Sequence, residues 1–341
     1  MRMTCSCDGM GTEGVVSAMF SFSVPVTEFT DASSAIPGGA EIVLQKIHDG
    51  GVGDTRVFYV SSKSSDDVKV TVKCYDRMTY AECNFPCTDT DFVDSDGNEK
   101  GLSVGTVLDR ITEECGLNAI LFDMVTLSAL NFDIPKSMLS GHTCRDVLSA
   151  LSQALCGYFA YDGLHARFTG IGTENENGDR ILSEKHERIR NTSYIEIKNL
   201  YMTDSGGKTY GGASGGSDTI TIDSQLASAD LYEMLSGRIG DYFYSGWDCN
   251  NAIFSGIPYF PSTVIFDDEE NPRYANYYDV SLSSDGIVGS IGRNSIDEGA
   301  WVYKGRTQRE LAKRYSEGDT WGNVKITKTG GLKFVYRNEN K

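Results

Sequence analysis

Between residues 143 and 168 the spacing of hydrophobic positions changes once, and the change marks a helix followed by a hairpin. Cys144, Val147, Leu148, Leu151 and Leu155 recur at helical spacing on one face. Thr143 stands where a hydroxyl caps such a helix. Asp146, three residues on, places a negative charge among the unpaired N–H groups of the first turn. Gly157 is expected to supply a left-handed exit. Residues 158–161 then read as a strand, Asp162-Gly163 as a tight turn and residues 164–168 as the returning strand.

The same two periods organise the rest of the chain. Ahead of this unit, strands are predicted over 20–24, 41–47, 56–61 and 68–75. In the last, Val68, Val70, Val72 and Cys74 alternate with Lys69, Thr71 and Lys73. Residues 76–84 turn helical, and 87–101 form a polar, acidic loop. Residues 106–116 repeat the helix design, with Thr106 as cap, Asp109 three residues on, and Val107, Leu108 and Ile111 apolar. A short strand, 131–134, follows. After Phe168 the polar run 173–179 and the charged run 184–190 mark a boundary. Beyond it the pattern predicts strands over 194–201 and 219–222, separated by a Gly/Ser loop at 204–218, and a helix over 224–239. Aromatic-rich strands are predicted over 242–247, 253–260 and 264–266, with further strands over 277–282 and 286–291. A helix over 308–315 and a hairpin of 323–327 with 332–336, turned at Gly330-Gly331, close the chain.

Composition fits a turn-rich, β-dominated protein. The 341 residues include 37 glycines, and 40% are hydrophobic, enough for two or three domains with real cores. The net charge of −17 argues against a surface that holds nucleic acid or an anionic membrane. Neither a secretory leader nor a run approaching the roughly 20 apolar residues of a membrane helix is present, so membrane insertion is not expected. The nine cysteines show no disulfide-framework spacing and read as buried small apolar residues of a reducing compartment.

Each candidate for chemistry has a plainer counterpart. Cys5-x-Cys7 lacks a nearby partner pair for a metal, and Cys83 and Cys87, with three residues including Pro86 between them, read as idle or buried thiols. Cys156 and His165 meet across the hairpin only if the thiol leaves the apolar stripe; as a pair they would suggest a cysteine hydrolase. Asp94-Ser95-Asp96-Gly97 begins like a calcium loop, but Phe92 and Ser103 stand where ligands are needed. Asp267-Asp268-Glu269-Glu270 reads as a solvated acidic loop. Gly206-Gly207-Lys208-Thr209 imitates the end of a phosphate-binding loop, with Met202 where its leading glycine belongs. Tyr242, Phe243, Tyr244, Trp247, Phe254, Tyr259 and Phe260 form either an aromatic β core or a sugar-stacking platform, the latter implying a carbohydrate- or receptor-binding protein. Lys185 to Arg190 reads as a solvated basic face or subunit contact, and Asn191-Thr192-Ser193 as an unused glycosylation match. No catalytic, cofactor-binding or metal residue is therefore assigned, no cofactor is expected, and the chain is read as a non-enzyme.

Two stretches resemble one family. Thr143-Cys144-Arg145-Asp146-Val147-Leu148, then Gly157-Tyr158-Phe159-Ala160-Tyr161-Asp162-Gly163-Leu164, is similar to a motif of baseplate hub proteins from phage tails and contractile injection particles. The strand at 20–24, the Pro37-Gly38-Gly39 turn, Phe58-Tyr59-Val60, and Val70-Thr71-Val72-Lys73-Cys74-Tyr75-Asp76-Arg77-Met78 resemble the first barrel of those proteins, in the same order. The resemblance spans roughly 15–170 by motif and 171–310 in outline. It implies an α+β, β-dominated fold with two small β-barrel-type domains and an inserted helix–hairpin region. The expected domains are an arm (1–14), a first β-barrel (15–86), a helix-containing intermediate domain (87–172), a second barrel-like domain (173–307) and a C-terminal helix and hairpin (308–341). It also implies a homotrimeric ring that joins a hexameric tail tube protein to a trimeric spike protein among other baseplate components. The ring would leave a central channel for DNA as passing cargo or for a tape-measure protein. A wall-degrading domain is not expected, because the chain stops at Lys341. A tail-tip protein of a non-contractile tail fits the same motifs.

Overall fold

The computed structural model describes residues 1–6, 14–25, 36–48, 51–66, 68–170, 179–182, 190–204, 206–212, 218–239, 242–258, 262–266, 273–275, 277–284, 286–293, 320–321, 324–326 and 332–334. Their fold is α+β and β-dominated. No helix among them is long and apolar enough to cross a membrane.

Strands β1 (Arg2–Ser6), β2 (Met19–Pro25), β3 (Glu41–His48), β4 (Gly51–Ser65) and β5 (Lys69–Tyr75) come first. In β5, Val70, Val72 and Cys74 are buried while Lys69 and Lys73 are exposed, the two-residue period of a strand with one covered face. A 3-10 turn, Arg77–Glu82, leads into a region of short elements. These are β6 (Leu102–Ser103), α1 (Val104–Glu114), β7 (Ile120–Leu121), α2 (Met124–Ala129) and β8 (Asp133–Ile134). Helix α3 (Cys144–Ala154) and the hairpin β9 (Gly157–Tyr161) and β10 (Ala166–Gly170) complete it. Next come β11 (Asp179–Leu182), β12 (Arg190–Thr203), β13 (Thr209–Gly212), β14 (Asp218–Asp223) and α4 (Ala229–Ile239). The sheet continues with β15 (Tyr242–Phe254), β16 (Ser262–Phe266), β17 (Arg273–Ala275), β18 (Tyr277–Ser283) and β19 (Gly286–Arg293). Last are β20 (Thr320–Trp321), β21 (Val324–Ile326) and β22 (Leu332–Phe334), an antiparallel set of their own.

The strands expected of two barrels hydrogen-bond into one 14-stranded sheet, with the path β17-β16-β11-β15-β19-β18-β1-β2-β5-β4-β3 and β12, β13 and β14 attached through β15. β1 is the suture. Met3 stands opposite Val280 of β18 on one side and Phe20 of β2 on the other. Residues 2–6 are therefore an interior strand and not part of an arm. Met3 and Cys5 are buried on one face, which anchors the strand.

Two hydrophobic cores flank this arrangement. The sheet core holds Met3, Phe20, Phe58, Val72, Trp247, Tyr278 and Val280, so residues from the first and last thirds of the chain share it. The helical core holds Met78, Ile111, Leu148, Leu151, Phe159, Met202, Ile222 and Leu235. It joins the intermediate region to β12, β14 and α4, across the expected boundary at residue 173.

Several local expectations shift by a few residues for identifiable reasons. Helix α1 begins at Val104, and its cap is Ser103, whose Oγ accepts the Thr106 N–H at 3.3 Å. Thr106 lies inside the first turn. The helix starts earlier because Val104, Val107 and Ile111 form the buried stripe. The left-handed residue after α3 is Cys156, at φ +54°, and not Gly157. Gly157 serves close approach instead, since a Cβ there would stand 2.3 Å from the Thr169 carbonyl oxygen. The hairpin turn spans four residues, 162–165. Asp162 Oδ1 accepts the N–H groups of Leu164 (2.9 Å) and His165 (2.7 Å), and Gly163 takes φ +98°. The Gly/Ser loop contains β13, and the two aromatic strands are one, β15, with a register shift between Cys249 and Ala252. The helix expected over 308–315 lies outside the described residues.

Candidate functional site

Helix α3 is held at its start by a reciprocal cap. Thr143 Oγ1 accepts the Asp146 N–H at 3.1 Å, and Asp146 Oδ2 accepts the Thr143 N–H at 2.9 Å. This engages the Asp146 carboxylate locally and leaves Arg145, one residue earlier, to reach across the junction. Its Nη1 donates to the Val15 carbonyl (2.8 Å), and its Nη2 donates to Ser17 Oγ (3.1 Å) and to the Met78 carbonyl (3.2 Å). Its Nε is ion-paired with Glu82. One guanidinium thus binds the approach to β2, the 3-10 turn and α3. Arg suits this place because its planar fork presents several donors at fixed angles.

Asp76 closes the same junction from the other side. It caps the 3-10 turn by accepting the Met78 N–H at 3.0 Å and accepts the Ala18 N–H at 2.7 Å. Its own N–H donates to the Ala18 carbonyl at 3.0 Å. Burial pushes the Asp76 carboxyl up to about 7, against the pull of those two N–H groups and of Arg145. Nearby, Arg77 donates to the Tyr59 hydroxyl at 2.6 Å and lies over the Tyr59 and Tyr80 rings.

Strand β9 is the wall between the two cores. Phe159 belongs to the helical core, with ring centroids 5.8 Å from Phe122 and 5.1 Å from Phe168. Its neighbours Tyr158 and Ala160 point into the sheet core, as alternation along a strand requires. The segment before β2 docks on this wall. The Val16 N–H donates to the Phe159 carbonyl, and the Phe159 N–H donates to the Gly14 carbonyl, both at 2.8 Å. Val15 and Val16 then divide between the two cores as Phe159 and Tyr158 do.

Beside the junction three buried thiols converge. Cys83 Sγ lies 3.7 Å from Cys115 Sγ and 3.6 Å from Cys144 Sγ. Cys115 is the thiol shifted downward, because the thiols of Cys144 and Cys83 direct hydrogen bonds at it; Cys144 is shifted upward by the same contacts and by burial. The set could hold a metal. Sequence spacing groups Cys83 with Cys87; the fold brings it to Cys115 and Cys144, 32 and 61 residues further along the chain.

No protein-family model matches the chain, and no curated protein matches it in sequence. Solved structures do. The 43 kDa tail protein of prophage MuSo2 from Shewanella oneidensis aligns at 11% identity and TM-score 0.49, over 85% of this chain and 92% of that one. The prophage tail protein gp18 from Listeria monocytogenes EGD-e aligns at 12% and 0.46, over 86% and 88%. A tail protein from Neisseria meningitidis MC58 aligns at 14% and 0.44, over 88% and 93%. Each of these three is a phage tail protein. At TM-scores below 0.5 the likeness carries no residue-level correspondence.

The remaining sequence candidates fall apart from one another. Cys156 is buried at the α3 end of the hairpin, next to the Gly157–Gly170 pair, whereas His165 adjoins the Tyr161–Ala166 pair at the opposite end. Four rungs separate those ends, about 13 Å of strand, too far for proton transfer. Asp94 accepts the N–H groups of Asp96 (2.9 Å) and Asn98 (2.8 Å), so its carboxylate braces its own turn. Asp204 does the same for Gly206 and Lys208, both at 2.9 Å, making the glycine run a hairpin turn ahead of β13. Trp247 and Phe254 are buried in the sheet core, as an aromatic β core requires. Cys5 is buried on β1. Cys7, Tyr259, Phe260, the 267–270 acidic run and residues 185–189 lie outside the described residues, as do the side chains of Tyr242, Phe243 and Tyr244. Asp76, Glu82 and Cys115 were not singled out from sequence. Asp76 had a signal, since an Asp between a strand and a helical run is a cap.

Proposed function

We propose that this chain is a structural protein of a phage tail or phage-tail-like contractile particle, acting as the baseplate hub. The observation that carries the reading is the meeting of the two family-like stretches at one junction. Arg145 and Phe159 come from the first, and Asp76 and Met78 from the second; Arg145 and Asp76 join both to the segment before β2. In this reading three copies form a ring joining a hexameric tube to a trimeric spike, because a closed cyclic assembly satisfies its interfaces without open ends. The net charge of −17 supports a channel past which DNA slides without the counterion-release affinity that basic walls give.

The test is the mass of the purified chain by light scattering after sizing, with particle images of the same peak and of its mixture with tail tube and spike proteins. Rings of three chains with a central hole, alone or on the tube, are the expected result. A chain that stays monomeric in the mixture and binds glycans through the β15 region would replace the hub with a receptor-binding role. A ring whose channel wall is lined by Lys and Arg would remove the electrostatic part of the reading.

A further inference from the structure

Three thiols from three separate elements meet at the base of α3. Cys83 ends the 3-10 turn, Cys115 caps the C-terminus of α1 and Cys144 opens α3. All three are buried in the helical core, and their sulfurs lie within 4.8 Å of one another. At a metal–sulfur bond of about 2.3 Å, two thiolates stand about 3.8 Å apart at a tetrahedral angle and about 4.0 Å apart at a trigonal one. The Cys83–Cys115 and Cys83–Cys144 separations of 3.7 and 3.6 Å need only a few tenths of an ångström of adjustment. A disulfide, at about 2.05 Å, needs much more and leaves the third thiol unused.

We propose that Cys83, Cys115 and Cys144 bind one soft, thiophilic cation, Zn²⁺ or Cu⁺, as a three-thiolate site that fastens the 3-10 turn, α1 and α3 together. The donor set selects such ions, since thiolates prefer soft cations to Mg²⁺ or Ca²⁺. Binding releases the three thiol protons to solvent. With a divalent ion the centre carries one net negative charge. Cys144 opens α3, whose N-terminal dipole favours negative charge, and the Arg145 guanidinium acts on Cys115 in the same sense, against the neighbouring Glu114 carboxylate. The site stands independently of the tail-hub reading. It would link elements that lie far apart along the chain, which is how structural metals contribute to folding.

The full chain, purified in reducing buffer without chelator, is analysed for zinc and copper, then stripped and titrated with Cd²⁺. The expected result is one Cd²⁺ per chain, a thiolate-to-cadmium charge-transfer band in the ultraviolet and a higher Tm. The band should be lost in C83S, C115S and C144S and kept in C74S, whose thiol lies in the sheet core. The elemental analysis distinguishes zinc from copper as the native occupant. Wild type carries the test even where a serine unfolds the core: a folded wild-type chain with no charge-transfer band overturns the proposal. So does a folded C115S variant that binds Cd²⁺ as wild type does, or a disulfide between two of the three cysteines in the chain purified without oxidant.

Discussion

The helical core and the sheet core are closed by different means. Around the helical core, named side chains make the ties: Arg145 to Val15, Ser17, Met78 and Glu82, Asp76 to Ala18 and Met78, and Arg110 to the Pro86 carbonyl (3.0 Å) and to Asp91 (2.7 and 3.0 Å). Around the sheet core the ties are mainly ladders, β1 with β18 and β2, and β2 with β5, joined by a few side-chain bonds such as Arg56 to the Ile257 carbonyl (3.1 Å). One salt bridge on this side, Arg2 with Asp279, lies on the exposed face. A ladder uses N–H and C=O groups that every residue except proline carries, so it tolerates most substitutions; a side-chain tie does not. Single substitutions should therefore open the helical core far more easily than they open the sheet.

Arg145→Ala tests that contrast most severely. It removes the fork from an enclosed site and leaves Glu82 and the Val15 and Met78 carbonyls without this partner. Breaking one side of an enclosed ion pair costs roughly 3–5 kcal/mol. Urea unfolding should show an unfolding free energy lower by that amount, read from the fall in midpoint at unchanged slope. Arg2→Ala is the control on the sheet side. Arg2 is 61% exposed, so its midpoint should stay at the wild-type value. Equal shifts in the two variants would dissolve the contrast.

Asp76 sharpens it through pH. Its folded-state value near 7 exceeds its ordinary 3.8, so the folded chain holds this proton more tightly than the unfolded chain does. The stabilisation is complete below about 3.8 and is lost as pH rises toward 7. Over that window the change approaches about 4 kcal/mol, at 1.36 kcal/mol per unit. Surface carboxylates such as Asp91, held low by Arg110, act in the opposite direction. The readout is therefore the difference between wild type and Asp76→Asn, taken from denaturation at pH 4, 5.5 and 7. Wild type should lose its advantage over the variant as pH rises; a difference independent of pH would remove Asp76 from the account.

What was legible in the sequence follows the same division. The Thr143–Asp146 cap, the stripe from Cys144 to Leu155 and the alternation of β5 are local patterns, and each is present in the structure. Pairing between distant strands has no local pattern. Nothing in Arg2–Ser6 indicates that it lies opposite Tyr277–Ser283, so by local pattern the suture reads as an arm. The thiol cluster escaped for the same reason, because its members stand on separate elements. Gly157 departs from its local pattern for another reason. The glycine was needed, but for the approach of β10, and the left-handed turn moved back onto Cys156.

That reassignment is testable. Gly157→Ala places a Cβ against the Thr169 carbonyl and Phe168 Cζ, at 2.3 and 2.5 Å, and β9 cannot move without disturbing both cores. Overpacking of this kind costs about 1–3 kcal/mol. Gly163→Ala, in the exposed turn, meets only the Arg56 side chain at 3.5 Å or more, although its φ of +98° also carries strain. The first variant should unfold at lower urea than the second, with near-ultraviolet circular dichroism reporting loosened packing around Phe159.

The smallest effects compare the two helices directly. Thr143 is buried, and its hydroxyl is half of a reciprocal cap, so Thr143→Ala leaves the Asp146 N–H without its acceptor in a site closed to water. A cost of about 1 kcal/mol, toward 2, is expected. Ser103 is exposed and its bond to the Thr106 N–H is longer, so water replaces part of what Ser103→Ala removes, and the cost should fall nearer 0.5 kcal/mol. Thr106→Ala should be milder still, because the substitution keeps the backbone N–H that the cap engages and removes only an exposed hydroxyl pair with Ser103 Oγ (2.9 Å) that water replaces. The ranking, read from urea midpoints, separates the assignments: a Thr106→Ala variant less stable than Ser103→Ala would return the cap to Thr106 and start α1 later than Val104.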